Sequence, residues 1–208
     1  MTEDIRNQAA IDKFEIIEVS SISLRCRDSG DWDRLAECFH PDGKVSISWF
    51  SGSARDFIEQ SRKMTAGHNP VDRQNHMMSN PCVTLKGNRA VCEYYLILHQ
   101  RRMVDGYEFD LQTWSTSLDL FEKRGGAWRI SKRTNIYQKD RMDPYNPAEV
   151  PASYFARMDL SRYPAALRYH CYRNERSSGR APSANLVLMG TPEERATRKE
   201  ATEWLAGG

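Results

Sequence analysis

The sequence has no long apolar run. Its longest, Tyr94 to Leu98, falls far short of the ~20 residues that span a bilayer. The opening Met1-Thr2-Glu3-Asp4 lacks the basic start and apolar core of a signal peptide, which predicts a soluble, cytoplasmic protein. Charge imbalance is equally scarce. The formal net charge is +2, and basic residues are scattered among acids, so no stripe for nucleic acid is expected. The five cysteines form no C-x-x-C pair, and their odd count predicts reduced thiols packed as small apolar groups. There is no G-x-G-x-x-G after a strand and no G-x-x-x-x-G-K-[ST], hence no nucleotide fingerprint. Without H-x-x-x-H or a cysteine cluster, no metal and no cofactor are expected. Without G-x-S-x-G, a nucleophile-elbow hydrolase is disfavoured. What remains is acid–base chemistry.

Apolar residues make up 39% of the chain and charged residues 28%, an ordinary globular profile. Ile11, Phe14, Ile17 and Leu24 recur at roughly helical spacing and predict an amphipathic helix over residues 8–27. Gly30 suits a positive φ after that helix, and Asp31 suits the N-cap of a short second one, Trp32 to Phe39. His40-Pro41-Asp42-Gly43 reads as a turn. Val45, Ile47 and Trp49 alternate with polar residues, as in a half-buried strand. A third helix is predicted over Ala54–Thr65, ended by Gly67 and Pro70. Four strand-like runs follow, near Gln74–Leu85, Ala90–Val104, Tyr107–Glu122 and Trp128–Gln138, with links short enough for antiparallel hairpins.

This order predicts an α+β fold in which helices cover one face of a strongly curved antiparallel sheet, leaving a cone that can hold a ligand. From Asp140 the character changes to frequent Pro, Arg and Tyr. The expected organisation is a barrel domain over residues 1–140 and an extension over 141–208. The extension would wrap the barrel or a neighbouring subunit, with a loop at Ser177-Ser178-Gly179-Arg180 and a last helix near Pro192–Leu205.

Asp28 stands out because a carboxylate at a helix C-terminus opposes the dipole and needs solvent or a partner. His76 opens a strand, and alternation groups it with Met78, Asn80 and Cys82. An imidazole in a pocket becomes a competent base when a carboxylate orients it. His99 follows Tyr95 and Ile97 on one face of its strand. Arg133 is grouped with Arg129, Ser131, Asn135 and Tyr137, and pointing inward it would hold a developing oxyanion. Ser115 and Ser117 would add hydroxyl contacts, and Trp49, Tyr95 and Tyr137 a flat aromatic lining.

The run Asp28-Ser29-Gly30-Asp31-Trp32-Asp33-Arg34-Leu35, then Phe39 and Pro41-Asp42, resembles the opening of SnoaL-like domains. These are cone-shaped, cystatin-like α+β rolls of the nuclear transport factor 2-like superfamily. Gly126-Ala127-Trp128-Arg129-Ile130 resembles that group's last strand. Within it, Asp28 and His76 match the positions of the aspartate and histidine of the scytalone dehydratase and γ-hexachlorocyclohexane dehydrochlorinase families. His99-Gln100-Arg101 is similar to the segment carrying a second active-site histidine, and Ile130-Ser131-Lys132-Arg133 to one carrying a catalytic arginine. The pattern departs at Ser23, where the dehydrochlorinase has lysine, and at Arg27 and Ile47, where the dehydratase has tyrosines.

The resemblance implies a cofactor-independent lyase acting on a hydroxylated aromatic or polycyclic small molecule. His76 would be the base and Asp28 its orienter, with His99, Arg133 and Ser115 serving the oxyanion or the leaving group. Loss of water is the simplest outcome and loss of formaldehyde by C–C cleavage the second. A homodimer or homotrimer is implied by the family. Three other readings share the scaffold: the β subunit of a ring-hydroxylating dioxygenase, to whose H-x-x-S-N run His76-Met77-Met78-Ser79-Asn80 is similar; an inert binding module; and a cyclase or isomerase.

Overall fold

Gly30 takes φ +79° and ends the first helix, and Asp31 caps the second by accepting the Arg34 N–H at 3.3 Å. Both follow from residue chemistry: glycine has no Cβ to clash at positive φ, and a carboxylate satisfies an orphan helix donor. The computed structural model describes residues 3–66, 72–179, 181–183 and 185–207. The expected stop of the third helix at Gly67 and Pro70 therefore lies outside the described residues.

The chain runs α1 (Glu3–Ser29), α2 (Trp32–Glu37), β1 (Phe39–Ile47), β2 (Phe50–Ser53) and α3 (Ala54–Ala66). The meander follows as β3 (Arg73–Lys86), β4 (Arg89–Val104), β5 (Tyr107–Arg124) and β6 (Ala127–Pro144). After it come α4 (Ala152–Ala156), a 3₁₀ turn (Ala165–Leu167), α5 (Arg168–Ser178), β7 (Val187–Leu188) and α6 (Pro192–Ala206). The sheet order is β2-β1-β6-β5-β4-β3, with β1 parallel to β6 and β7 also pairing β6 in parallel. The architecture is the expected α+β roll. β1 pairs β6 up to Thr134 and β7 pairs it at Ile136 and Tyr137, so the C-terminal segment covers a stretch of strand edge that β1 leaves open.

Several local expectations are corrected. The core-facing residues of α1 are Ile16, Ser20, Ser23, Leu24 and Cys26, whereas Ile11 and Phe14 are exposed. The helix turns small polar residues inward because they meet a buried ion pair there: Ser20 donates to Asp119 and Ser23 accepts from Arg133. His40–Gly43 is no free turn: it is an irregular stretch within β1, between Phe39 opposite Ile130 and Lys44 opposite Lys132. Alternation on β3 breaks at Asn80, where φ is +52° and the register with β4 shifts. His76 and Cys82 therefore do not share one continuous face. On β6 a register shift between the Phe121–Ile130 and Leu120–Lys132 pairs reverses the inward parity. Trp128 and Ile130 point into the core before it, Arg133 and Asn135 are buried after it, and Arg129 and Ser131 leave their predicted face. β6 itself continues past Asp140 to Pro144; of the expected loop, Ser177 and Ser178 close α5 and Gly179 caps it at φ +64°, while Arg180 lies outside the described residues.

Three apolar clusters hold the layers. One lies between the sheet and α1–α3, centred on Ile16, Leu35, Tyr94 and Phe121. A second joins Phe109, Leu111 and Met142 to Tyr154, Leu167 and Cys171 of the C-terminal segment. The third is on the opposite sheet face, where Val91, Leu118 and Leu120 meet Ala201, Trp204 and Leu205 of α6. Among the described residues, no helix is long and apolar enough to cross a membrane.

Candidate active site

Asp28 ends α1 with its carboxylate toward β3. One oxygen accepts the His76 backbone N–H at 2.7 Å, and the other meets His76 Nδ1 at 2.6 Å. These two bonds are the partner that a carboxylate at a helix C-terminus requires. A carboxylate only accepts, so Nδ1 carries the proton and Nε2 carries the lone pair. Arg27 Nη1 lies 2.9 Å from Nε2 and can only donate, which selects the same tautomer. Burial holds the His76 pKa below its ordinary value; the Asp28 hydrogen bond works against that, and the Arg27 cation works with it. The imidazole is thus a neutral base whose free electron pair is covered by an arginine.

That arginine forms part of the wall of a cavity of about 450 Å³. Its floor is the β4 face carrying Leu98, Gln100 and Arg102, and Trp32, Trp49 and Met64 supply apolar surface. Its roof is α5, through His170, Arg173, Asn174 and Ser177. Neither Asp28 nor His76 lines this space itself. They touch, and Arg27 stands between the pair and the cavity.

Two more arginines flank it. Arg102 is buried and donates to Gln74 Oε1 at 2.9 Å and to the Arg73 carbonyl at 3.2 Å, with Asp72 at 3.9 Å. Arg173 donates to Gln100 Oε1 at 2.7 Å. Burial, and next the Arg102 cation, push the Arg173 pKa down to about 9. His170 is buried, with Nε2 2.8 Å from Ser48 Oγ and Nδ1 3.1 Å from Thr113 Oγ1. Burial, reinforced by Arg173 and Arg27, holds its pKa well below the ordinary value.

The remaining predicted residues fall in different places. Arg133 points inward but is engaged: Nε and Nη2 donate to Asp119 at 2.8 and 2.6 Å, and Nη2 also donates to Ser23 Oγ at 2.9 Å. Burial opposes the Arg133 charge and the Asp119 carboxylate more than offsets it, so its pKa lies above the ordinary arginine value. Ser115, Ser117, Asn135 and Tyr137 are buried and do not line the cavity. Ser117 donates to Asn135 Oδ1 at 3.0 Å, and Tyr137 Oη accepts the Ser48 N–H at 2.9 Å. Trp49 does line the cavity. Tyr95 is half exposed, and His99 shares its side of β4, the side away from Leu98 and Gln100. Among the described residues no three His, Cys, Asp or Glu side chains gather as a metal-ligating group.

Sequence reasoning missed Arg27, Arg102, Arg173, His170 and Asp119. Asp119 was findable, since it continues the Thr113, Ser115, Ser117 alternation.

The chain belongs to the SnoaL-like domain family, which matches residues 8–134. It is 30% identical over 210 residues to a PEP2-like protein of Fusarium vanettenii, covering 97% of this chain and 88% of that one. In structure it is similar to a putative scytalone dehydratase of Novosphingobium aromaticivorans, with TM-score 0.57, 16% identity, and 70% and 99% of the two chains covered. It is also similar to a type 2 hexachlorocyclohexane dehydrochlorinase, with TM-score 0.54, 15% identity, and 70% and 95% covered. At such identities these structures establish the fold alone.

Proposed function

We propose that the protein is a cofactor-independent lyase, most simply a dehydratase of a hydroxylated aromatic carbonyl compound. The observation that carries this is the Asp28–His76 contact of 2.6 Å, with the lone pair of Nε2 directed at a cavity-wall cation. Substrate entry draws Arg27 from Nε2 to a substrate oxygen. Nε2 then takes a proton from the carbon beside the carbonyl, Asp28 stabilises the imidazolium, and Arg27 balances the enolate oxygen. The enolate electron pair forms the C=C bond as the β-hydroxyl departs. The same imidazolium returns its proton to that oxygen, so water leaves and His76 is neutral again. This route asks nothing of His99, on the other sheet face, or of Arg133, held by Asp119.

The test is incubation with β-hydroxy carbonyl aromatics, with no metal or nucleotide added, while watching for a conjugated chromophore. Release of formaldehyde instead would assign C–C cleavage. No product from any of them, or undiminished turnover by His76→Gln, would sink the proposal.

A further inference from the structure

Buried polar groups are nearly always paired, so a cluster of unpaired ones needs a reason. Among the described residues five buried side-chain nitrogen or oxygen atoms have no hydrogen-bond partner. Four of them, Arg27 Nε, Arg173 Nε, Asp72 Oδ1 and Ser61 Oγ, belong to residues lining the one cavity under α5. The chemistry they leave open is specific: two cationic donors, one carboxylate that only accepts, and one hydroxyl.

The charges agree with this pattern. Arg27, Arg102 and Arg173 line the cavity, opposed by Asp72 and, behind His76, by Asp28. Arg133 is balanced by Asp119 and stands outside this count, and His170 is neutral. One positive charge is left over, enough for a single carboxylate rather than a doubly charged phosphate. Arginine forks match carboxylate geometry. The Trp32 and Trp49 rings offer a flat apolar body its contact surface.

We propose that the cavity binds a singly charged aromatic hydroxy acid, its carboxylate on Arg27 and Arg173 and its hydroxyl donating to Asp72. This names a substrate class for the lyase and rests on that reading for its chemistry, while the charge argument stands on the cavity alone. It also supplies what draws Arg27 off His76.

Calorimetry and thermal shift on the full chain test it with 3-phenylpropanoate, 3-phenylpropanamide, phenyl phosphate and 3-hydroxy-3-phenylpropanoate. The carboxylate is expected to bind at least about tenfold tighter than its neutral amide, and tighter than phenyl phosphate. The hydroxy acid is expected to bind tighter still. Arg173→Gln, checked for folding by circular dichroism, should lose the preference for carboxylate over amide. Equal binding of acid and amide, tighter binding of phenyl phosphate, or no binding of any probe at about 10 mM would overturn the assignment. The amide comparison needs no variant. Carboxylate-selective binding without conversion of the hydroxy acid to cinnamate would count against the lyase alone. Turnover of neutral substrates without carboxylate preference would count against the anion site alone.

Discussion

Asp119 engages both inward nitrogens of Arg133, and Tyr94 Oη adds a further hydrogen bond to the same carboxylate at 3.1 Å. The pair is fully withdrawn from solvent on the acid's side. Breaking one half of such a pair strands the other charge. Asp119→Ala should therefore cost about 3–5 kcal/mol in urea unfolding, whereas Asp119→Leu with Arg133→Met should recover most of that loss.

The two neighbours of His76 act on its basicity in opposite directions. Arg27→Gln should raise the His76 pKa, because the cation that lowers it is gone. Asp28→Asn should lower it, because the partner that raises it is gone. A pH titration followed by NMR of the histidine ring reads both shifts directly. On an accepted substrate, Asp28→Asn should also reduce kcat by on the order of 10²–10⁴-fold.

His76 and His170 are both held below the usual histidine pKa when folded. The unfolded chain then binds more protons near pH 6, so their contribution is intact above about 6.5 and is lost as the pH falls. Burial raises Asp140 to about 6, against opposing hydrogen bonds from the His170 and Tyr169 backbone. That group works oppositely, favouring the fold as the pH falls from 6 toward its unfolded value near 4. Tm should thus drop between about pH 7 and 6 and flatten below that, where Asp140 offsets the histidines. A scan in which Tm rises from pH 7 to 6 would contradict this.

α6 covers Val91, Leu118 and Leu120, and Trp204 Nε1 donates to the Phe121 carbonyl at 3.1 Å. Removing residues 191–208 should bare an apolar patch on the sheet and cause concentration-dependent association, read by light scattering.

Much of the scaffold was legible because its signals are local. Gly30, Asp31 and the hairpin links are chemical punctuation, and β3 to β5 fall within two residues of their predicted limits, while β6 runs on to Pro144. Asp28 and His76 were legible for the same reason, one at a helix end and one opening a strand. The arginines were not, because a long polar side chain on a helix or a strand looks alike whether it meets water or a cavity. Arg173 meets Gln100 only because α5 arrives over β4, a contact between segments some 70 residues apart that no window of sequence carries. The parity of β6 was lost for a related reason: one register shift near Ser131 reverses the side chains from there to Tyr137, where a second shift intervenes.

Because His170 and Arg173 belong to α5, well after β6 ends at Pro144, the cavity is finished late. During synthesis at roughly 5–20 residues per second, Asp28, His76 and the whole sheet leave the ribosome seconds before their lid does. A nascent chain halted in that interval would carry the Asp28–His76 contact without the α5 residues that roof the cavity. The cavity is therefore complete only once α5 has emerged, not when β6 has.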